Sequence, residues 1–408
     1  MKPEKTRKKF MQYLRLFSEG MYLAALSIIT AYAFLRTTTV PLPWNTGDSG
    51  IAFFNELTAD IPLHMEYLLL GITALRCLVS KKHILRNFLL SAGICGLVCY
   101  AVSISHYGNL LLLTLLLLAA RDIPFDRIMK VYTVTVGILL VMTVGAALGG
   151  LIENLQFGKK RKMAFGIVYS TDFAAHVFFL MLCIWYLRGK KTSYPAAVFT
   201  GILGLGVYWW SDARCSAGCL LLLSALMAAC RFFRTRCPEK GEKICRNPVL
   251  CTLLALSFPI ASACMLAASL VYQESIVWMR GLDKLLSGRL YYGKHALSIC
   301  GFHLWGKQIR MNGHWADGQV TDNYFYLDSS YMQMALMFGL VISALALLAF
   351  LHIGYKAVQR KQWIFLWILA LMALHGLIEQ RIWSLSYCPF ILAVFAQLGK
   401  SREVETVG

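Results

Sequence analysis

"LDSSYMQMALMFGLVISALALLAF", Leu327 to Phe350, carries no charged residue after Asp328. About 20 apolar residues are enough to carry a helix across the hydrocarbon of a bilayer, so this stretch reads as a membrane span. Its entrance is unusual. Most apolar runs in the chain are flanked by basic residues or loop polars, whereas this one follows the longest polar stretch and opens on Asp328-Ser329-Ser330-Tyr331. An acid and two hydroxyls can cap the free N–H groups of a helix start, and Asp328 also suits the positive end of the helix dipole.

The same pattern repeats along the 408 residues, of which 58% are hydrophobic and 15% charged, with a mean hydropathy of +0.58. Soluble domains carry about 25% charge. The chain therefore reads as an all-α polytopic integral membrane protein forming a single transmembrane domain over residues 1–408. About twelve spans are expected, near 20–36, 62–80, 88–104, 108–120, 131–151, 173–187, 195–210, 216–231, 249–272, 329–352, 363–379 and 384–398. One large loop, 273–328, precedes the tenth.

The charge balance of +19 does not suggest nucleic acid, because the basic residues sit in short loops between apolar runs. Such loops orient membrane proteins with their positive side in the cytoplasm. With the N-terminus inside, the inner loops hold 25 of the 40 Lys and Arg residues and the outer loops 12. With an even number of spans, this places both termini in the cytoplasm and the 273–328 loop on the outer side. "FGKKRKMAFG" (Phe157–Gly166) breaks the rule with four consecutive cations outside. Either a span is miscounted or the loop is a cationic site for an anionic substrate. The thirteen cysteines read as small apolar packing residues, and Gly145 and Gly149 as a close helix contact.

Four further segments hold charges at predicted outer span ends. "WWSDARCSAG" carries Asp212 and Arg214, and "YSTDFAAH" carries Asp172 with His176 one turn deeper. "LIEQRIWSLS" carries Glu379 and Arg381. In the large loop, Leu282, Leu285, Leu286 and Leu290 fall at helical spacing opposite Asp283, Lys284 and Ser287, which predicts an amphipathic surface helix with Arg289 reaching the head groups. Charges at a membrane edge are costly and tend to serve function. Structural alternatives exist for each: a local Asp212–Arg214 pair, a cap at Asp172, a Glu379–Arg381 pair, and snorkelling at Arg289. The loop histidines, His295, His303 and His314, lack helical metal-ligand spacing. Neither a P-loop nor a dinucleotide fingerprint is present, so the sequence points to no cofactor and no metal.

Five segments in chain order are similar to motifs of the O-antigen polymerase and ligase superfamily, in particular its Wzy-like polymerases of capsule and exopolysaccharide. "KMAFGIVYSTDFAAH" (Lys162–His176) resembles the basic, aromatic-Gly segment before that family's sixth span, and "SDARCSAG" its Ser-x-x-Arg element. "LLSGRLYYGKHAL" (Leu285–Leu297) and "HLWGKQI" (His303–Ile309) resemble two elements of its large outer loop. "LDSSYMQMALMFG" is similar to the Asp-Asn-Ser-Tyr…Gly segment that closes that loop. Lys162 stands where Arg is usual, which keeps the charge but not the planar fork, and Ser329 stands where Asn is usual. The resemblance implies a glycosyltransferase that joins repeat-unit oligosaccharides carried on undecaprenyl pyrophosphate, without a metal. Membrane lipid of a bacterial cytoplasmic membrane would surround it, with a flippase and a chain-length regulator as protein partners. It further implies Arg289, Arg214, Asp328, His303 and Glu379 as catalytic candidates, and Arg161, Lys162, Asp172, Tyr331 and Arg381 as substrate-binding ones. Tyr331 would stack on sugar. A ligase of the same superfamily and a flippase-type transporter are the alternatives. The transporter would be expected to show inverted repeats and broken helices, and neither is evident in the sequence.

Overall fold

The computed structural model describes residues 2–41, 61–79, 84–157, 162–311 and 325–399. The chain is a helical bundle. Its long helices are α1 (Lys2–Leu35), α2 (Ile61–Val79), α3 (Ile84–Ser105), α5 (Phe125–Leu148), α6 (Ser170–Arg188), α8 (Arg214–Arg236) and α15 (Leu340–Gln359). Among the described residues these seven are long and apolar enough to cross a membrane. Exposed Leu, Ile, Val and aromatic side chains cover the bundle's outer surface, as expected where lipid rather than water is the neighbour.

The remaining expected spans are shorter or interrupted. Helices α4 (Asn109–Ala119) and α16 (Trp363–His375) are apolar but short. Helix α7 (Tyr194–Gly206) runs into a π-turn, Val207–Ser211. A short basic helix, α9 (Pro238–Arg246), leads to α10 (Pro248–Ala255) and α11 (Ser257–Val271), which would be one span but are bent by 58°. The tenth span is also broken. Its start is α14 (Ser330–Gln333) with a π-turn, Met334–Phe338, and α15 begins after Gly339.

Gly339 (φ 90°) and Gly306 (φ 83°) explain that break. Their backbones lie against each other, so a Cβ on either would overlap the other segment's main chain. The loop thereby reaches the start of α15, where Leu340 and Val341 donate their N–H groups to the carbonyls of His303 and Leu304, both at 3.0 Å. A helix start inside a membrane protein needs such partners. Two of the segments singled out in the sequence, "HLWGKQI" and "LDSSYMQMALMFG", therefore meet through their glycines.

The expected twelfth span, 384–398, is not a membrane helix. It contains one 3-10 turn, Phe390–Val394, and Phe390, Leu392 and Ala393 are fully buried. Pro389 interrupts the run, and the segment descends through the bundle interior. Its backbone is satisfied by neighbours: Phe125 N donates to Gln397 O (3.0 Å), Gln397 N to Ile123 O (2.8 Å), and Lys356 Nζ to three of its carbonyls. The apolar character reflects burial in protein rather than contact with lipid, where irregular backbone is not tolerated.

Two smaller expectations are corrected. A Cβ on Gly145 would touch nothing within 4 Å, so Gly145 and Gly149 do not form a close helix contact. The predicted amphipathic helix is split into α12 (Val277–Leu285) and α13 (Arg289–Cys300) by Ser287 and Gly288, both at positive φ. Leu285 is exposed and Leu290 buried. All thirteen cysteines are free.

Candidate active site

The segments bearing charged residues converge at one end of the bundle. The turn after α16 is the hub. Ser330 donates its N–H to Gly376 O (3.0 Å) and its hydroxyl to Glu379 O (2.6 Å), while Trp383 Nε1 donates to Ser330 O (2.9 Å). These bonds hold the start of α14 against the turn that carries Glu379 and Arg381.

Arg289 begins α13. Its helix cap, Gly288, has no side chain, and the capping role falls to the buried carboxylate of Asp283. Asp283 accepts from the N–H groups of Leu290 (2.9 Å) and Tyr291 (3.1 Å). Helix α13 is thereby fixed, and Arg289 points inward rather than to the head groups. Its Nη1 lies 2.8 Å from Asp328 Oδ2, and its Nε donates to Ile378 O at 2.9 Å. Both side chains are about 15% exposed. Asp328 therefore pairs with Arg289, and Ser329, which stands at the cap position, makes no capping bond through its side chain.

Arg381 has the same character with a different acid. Its chain neighbour Glu379 lies 3.9 Å from Nε, but the direct contact is to Asp172, at the start of α6. Asp172 is accordingly an ion-pair partner, and α6 has no side-chain cap. The Arg381 guanidinium also stands 5.1 Å over the Tyr387 ring, and Tyr387 stacks on His176 at 4.3 Å. His176 does lie one turn below Asp172, with its Nε2 3.0 Å from the Thr37 hydroxyl.

Glu379 differs from the other acids. It is buried, lies beyond the last helical residue of α16, and among the described residues no group donates a hydrogen bond to its carboxylate. Burial pushes its pKa up to about 7, Arg381 and Arg289 opposing and Asp328 and Asp172 adding to the rise. Among the described residues the Nε of Arg381 is itself without a hydrogen-bond partner. The 3.9 Å gap between the two holds an acid and a cation near each other without a direct bond.

On one flank, Asp212 bridges Lys162 (3.1 Å) and Arg214 (3.6 Å). Lys162 lies on β2 (Lys162–Met163), which pairs antiparallel with β1 (Gln156–Phe157), and Ser211 Oγ donates to Met163 O at 3.0 Å. The Phe157 ring stacks on Tyr169, three residues before Asp172. Arg214 begins α8 and is largely exposed, with 71% of its side chain open. Arg161 and the rest of the cationic run lie outside the described residues.

Two candidates do not join this constellation. Tyr331 is fully buried, its hydroxyl donates to Ala373 O at 2.9 Å, and its ring packs edge-on against Phe258. It has no face for a sugar, so the expected stacking is corrected to a structural role. His303 is exposed, its ring 2.8 Å from the Cys300 carbonyl, and what it supplies to the fold is the backbone carbonyl received by Leu340.

Sequence reasoning missed a polar chain on the other flank. Gln380 Nε2 donates to Tyr326 OH at 2.7 Å, and Gln333 bonds both Gln380 Oε1 and Leu327 O. Gln380 lies within the "LIEQRIW" segment, but only its charged neighbours drew notice. Gln333 sits within an apolar run, where a lone amide is itself a signal.

Comparison of the chain with family models, with curated proteins and with solved structures found no match. The seven long apolar helices among the described residues are compatible with an all-α polytopic membrane protein, and the site carries the functional argument.

Proposed function

We propose that the protein is a Wzy-like polymerase that joins undecaprenyl-pyrophosphate-linked oligosaccharide repeat units into capsular or exopolysaccharide chains at the outer face of the bacterial cytoplasmic membrane. The observation that carries this reading is the gathering of Arg289, Arg381, Asp172, Asp328 and Glu379, from segments up to 209 residues apart, at one end of the bundle. The excess of basic residues in the loops at the other end supports placing this end outside.

The reaction needs two things. The acceptor hydroxyl attacks the anomeric carbon of the donor, the bond from that carbon to the pyrophosphate oxygen breaks, and undecaprenyl pyrophosphate leaves with the electron pair. Cations must stabilise the charge gathering on the pyrophosphate. Arg289 and the exposed Arg214 are the groups for this, with Lys162 beside them. A base must take the hydroxyl proton. Glu379 suits that role, because a carboxylate with a pKa near 7 and no competing donor is matched to neutral pH. Asp328 and Asp172 serve as the resting counter-ions of the two arginines.

The test supplies purified protein with a lipid-linked repeat unit and follows the products by size. A ladder that is lost in Glu379→Gln supports the reading, and absence of elongation with the correct substrate rejects it. A transporter for lipid-linked sugar is the second reading, favoured by the 58° bend between α10 and α11 and the break at Gly339. Proteoliposomes separate the two: translocation of the lipid-linked unit without elongation would identify the transporter.

A further inference from the structure

The opposite end of the bundle holds a cleft of about 620 Å³ that the proposed reaction does not use. Its charged lining is Arg15, Arg76, Lys356 and Arg360 against Glu19 and Asp122. One of those acids is already engaged, since Glu19 pairs with Arg127 at 2.6 Å. The cations are held differently from those of the ionic cluster. Lys356 Nζ donates to the carbonyls of Ala393, Val394 and Ala396 at 2.9, 3.2 and 2.8 Å. Arg76 donates to Arg121 O at 2.9 Å and to Ser18 Oγ at 3.2 Å. Carbonyls and hydroxyls orient a cation without cancelling its charge, so both remain fixed positive centres.

The other two have donors to spare. Arg15 uses Nε and Nη2 on a single acceptor, Val79 O, at 2.9 and 2.6 Å, which leaves Nη1 without a partner among the described residues. The Arg360 side chain is exposed and makes no hydrogen bond or ion pair among those residues. A guanidinium presents a planar fork that fits phosphate oxygens in pairs, and the volume lies within the range of small-ligand sites. Asp122 is the group that opposes an anion here, and it is outnumbered.

We propose that this cleft binds a phosphate-bearing anion, with Arg15 and Arg360 as its direct ligands and Arg76 and Lys356 as fixed positive charge. The phosphate belongs either to an anionic lipid head group of the adjacent leaflet or to a soluble phosphate compound. The inference is independent of the polymerase reading, because no residue of the ionic cluster contributes to it.

Native mass spectrometry of the purified full-length protein in neutral detergent tests this, with phosphatidylglycerol, phosphatidylcholine and inorganic phosphate as probes. Retention of phosphatidylglycerol over phosphatidylcholine identifies a head-group site; binding of inorganic phosphate alone identifies a soluble ligand. Either binding should weaken more than about tenfold in the Arg15→Gln/Arg360→Gln double variant, which removes both direct ligands, because loss of one charge-assisted contact alone is of the tenfold order. Arg360→Gln alone, at an exposed position that leaves the fold intact, should give a smaller loss. The control is Arg236→Gln/Lys243→Gln, which removes exposed basic residues at the same end but outside the cleft. The proposal is overturned if the wild type prefers neither anionic probe, if the double variant binds as the wild type does, or if the control loses as much.

Discussion

At one end of the bundle Arg289 faces Asp328 and Arg381 faces Asp172; at the other, Lys356 and Arg76 face backbone carbonyls. The first arrangement neutralises charge and the second conserves it. Ion pairs of low exposure are costly to break from one side, because the partner is left buried and unpaired, at about 3–5 kcal/mol. Carbonyl-held cations lack that liability and create a standing positive field. The difference teaches what each end can exchange. Under the proposed polymerase reading, an incoming pyrophosphate at the ionic end would compete with carboxylates, whereas an anion in the proposed cleft at the opposite end would meet spare donors.

The most severe way to break the comparison is to remove Arg289. Arg289→Ala should abolish chain elongation, at least about 100-fold by analogy with lost transition-state donors, while insertion into the membrane is retained. Full elongation would take Arg289 out of the site. Asp328→Asn should be milder. It removes the counter-charge but keeps the size, so if Asp328 is only a resting partner, elongation survives and thermal stability falls. A loss of elongation equal to that of Arg289→Ala would give Asp328 a direct role.

Next in size is Glu379. Its folded pKa of about 7 is raised above the ordinary carboxylate value of 4.5. The sign follows from linkage: the stabilising contribution of the protonated form is present below about pH 4.5 and lost as pH rises through 7, where the carboxylate ionises at a cost on the order of 3 kcal/mol. Glu379→Gln should therefore raise the melting temperature at pH 8 relative to wild type and leave it unchanged near pH 4.5. Elongation by the wild type should climb between pH 6 and pH 8 as the base forms. A flat activity profile across that window would remove Glu379 as the base.

Gly306→Ala probes the scaffold that holds the ionic end. The added Cβ meets the Met337 carbonyl, a backbone atom that cannot step aside, so the variant should lose several degrees of melting temperature or fail to accumulate. The smallest effect is expected for Tyr331→Phe. It deletes one hydrogen bond to Ala373, worth about 1 kcal/mol, and should leave elongation intact. Strong loss of activity without loss of stability would restore the sugar-contact role that its burial argues against.

Sequence alone pointed to a polytopic membrane protein, with which the long apolar helices are compatible, and located the segments that hold its charged residues, because hydropathy runs and lone polar residues are local properties. It took 384–398 for a membrane span, whereas the segment is an irregular, protein-buried one, since an apolar run is equally at home against lipid or inside a protein. Local partnerships were legible, since Asp212 stands 3.6 Å from Arg214 and Glu379 3.9 Å from Arg381, but distant ones were beyond its reach. Arg381 does stand near Glu379, as their spacing suggests, but its direct contact is Asp172, 209 positions away. Asp328 looks like a cap, yet it binds Arg289, and the capping of α13 falls to Asp283. The cleft lined by Arg15, Arg76, Lys356 and Arg360 draws on three separate helices, α1, α2 and α15, and the residue just after α15. Which charges meet is set by how helices pack and where glycines let backbones touch, and that is decided only when the whole chain closes on itself.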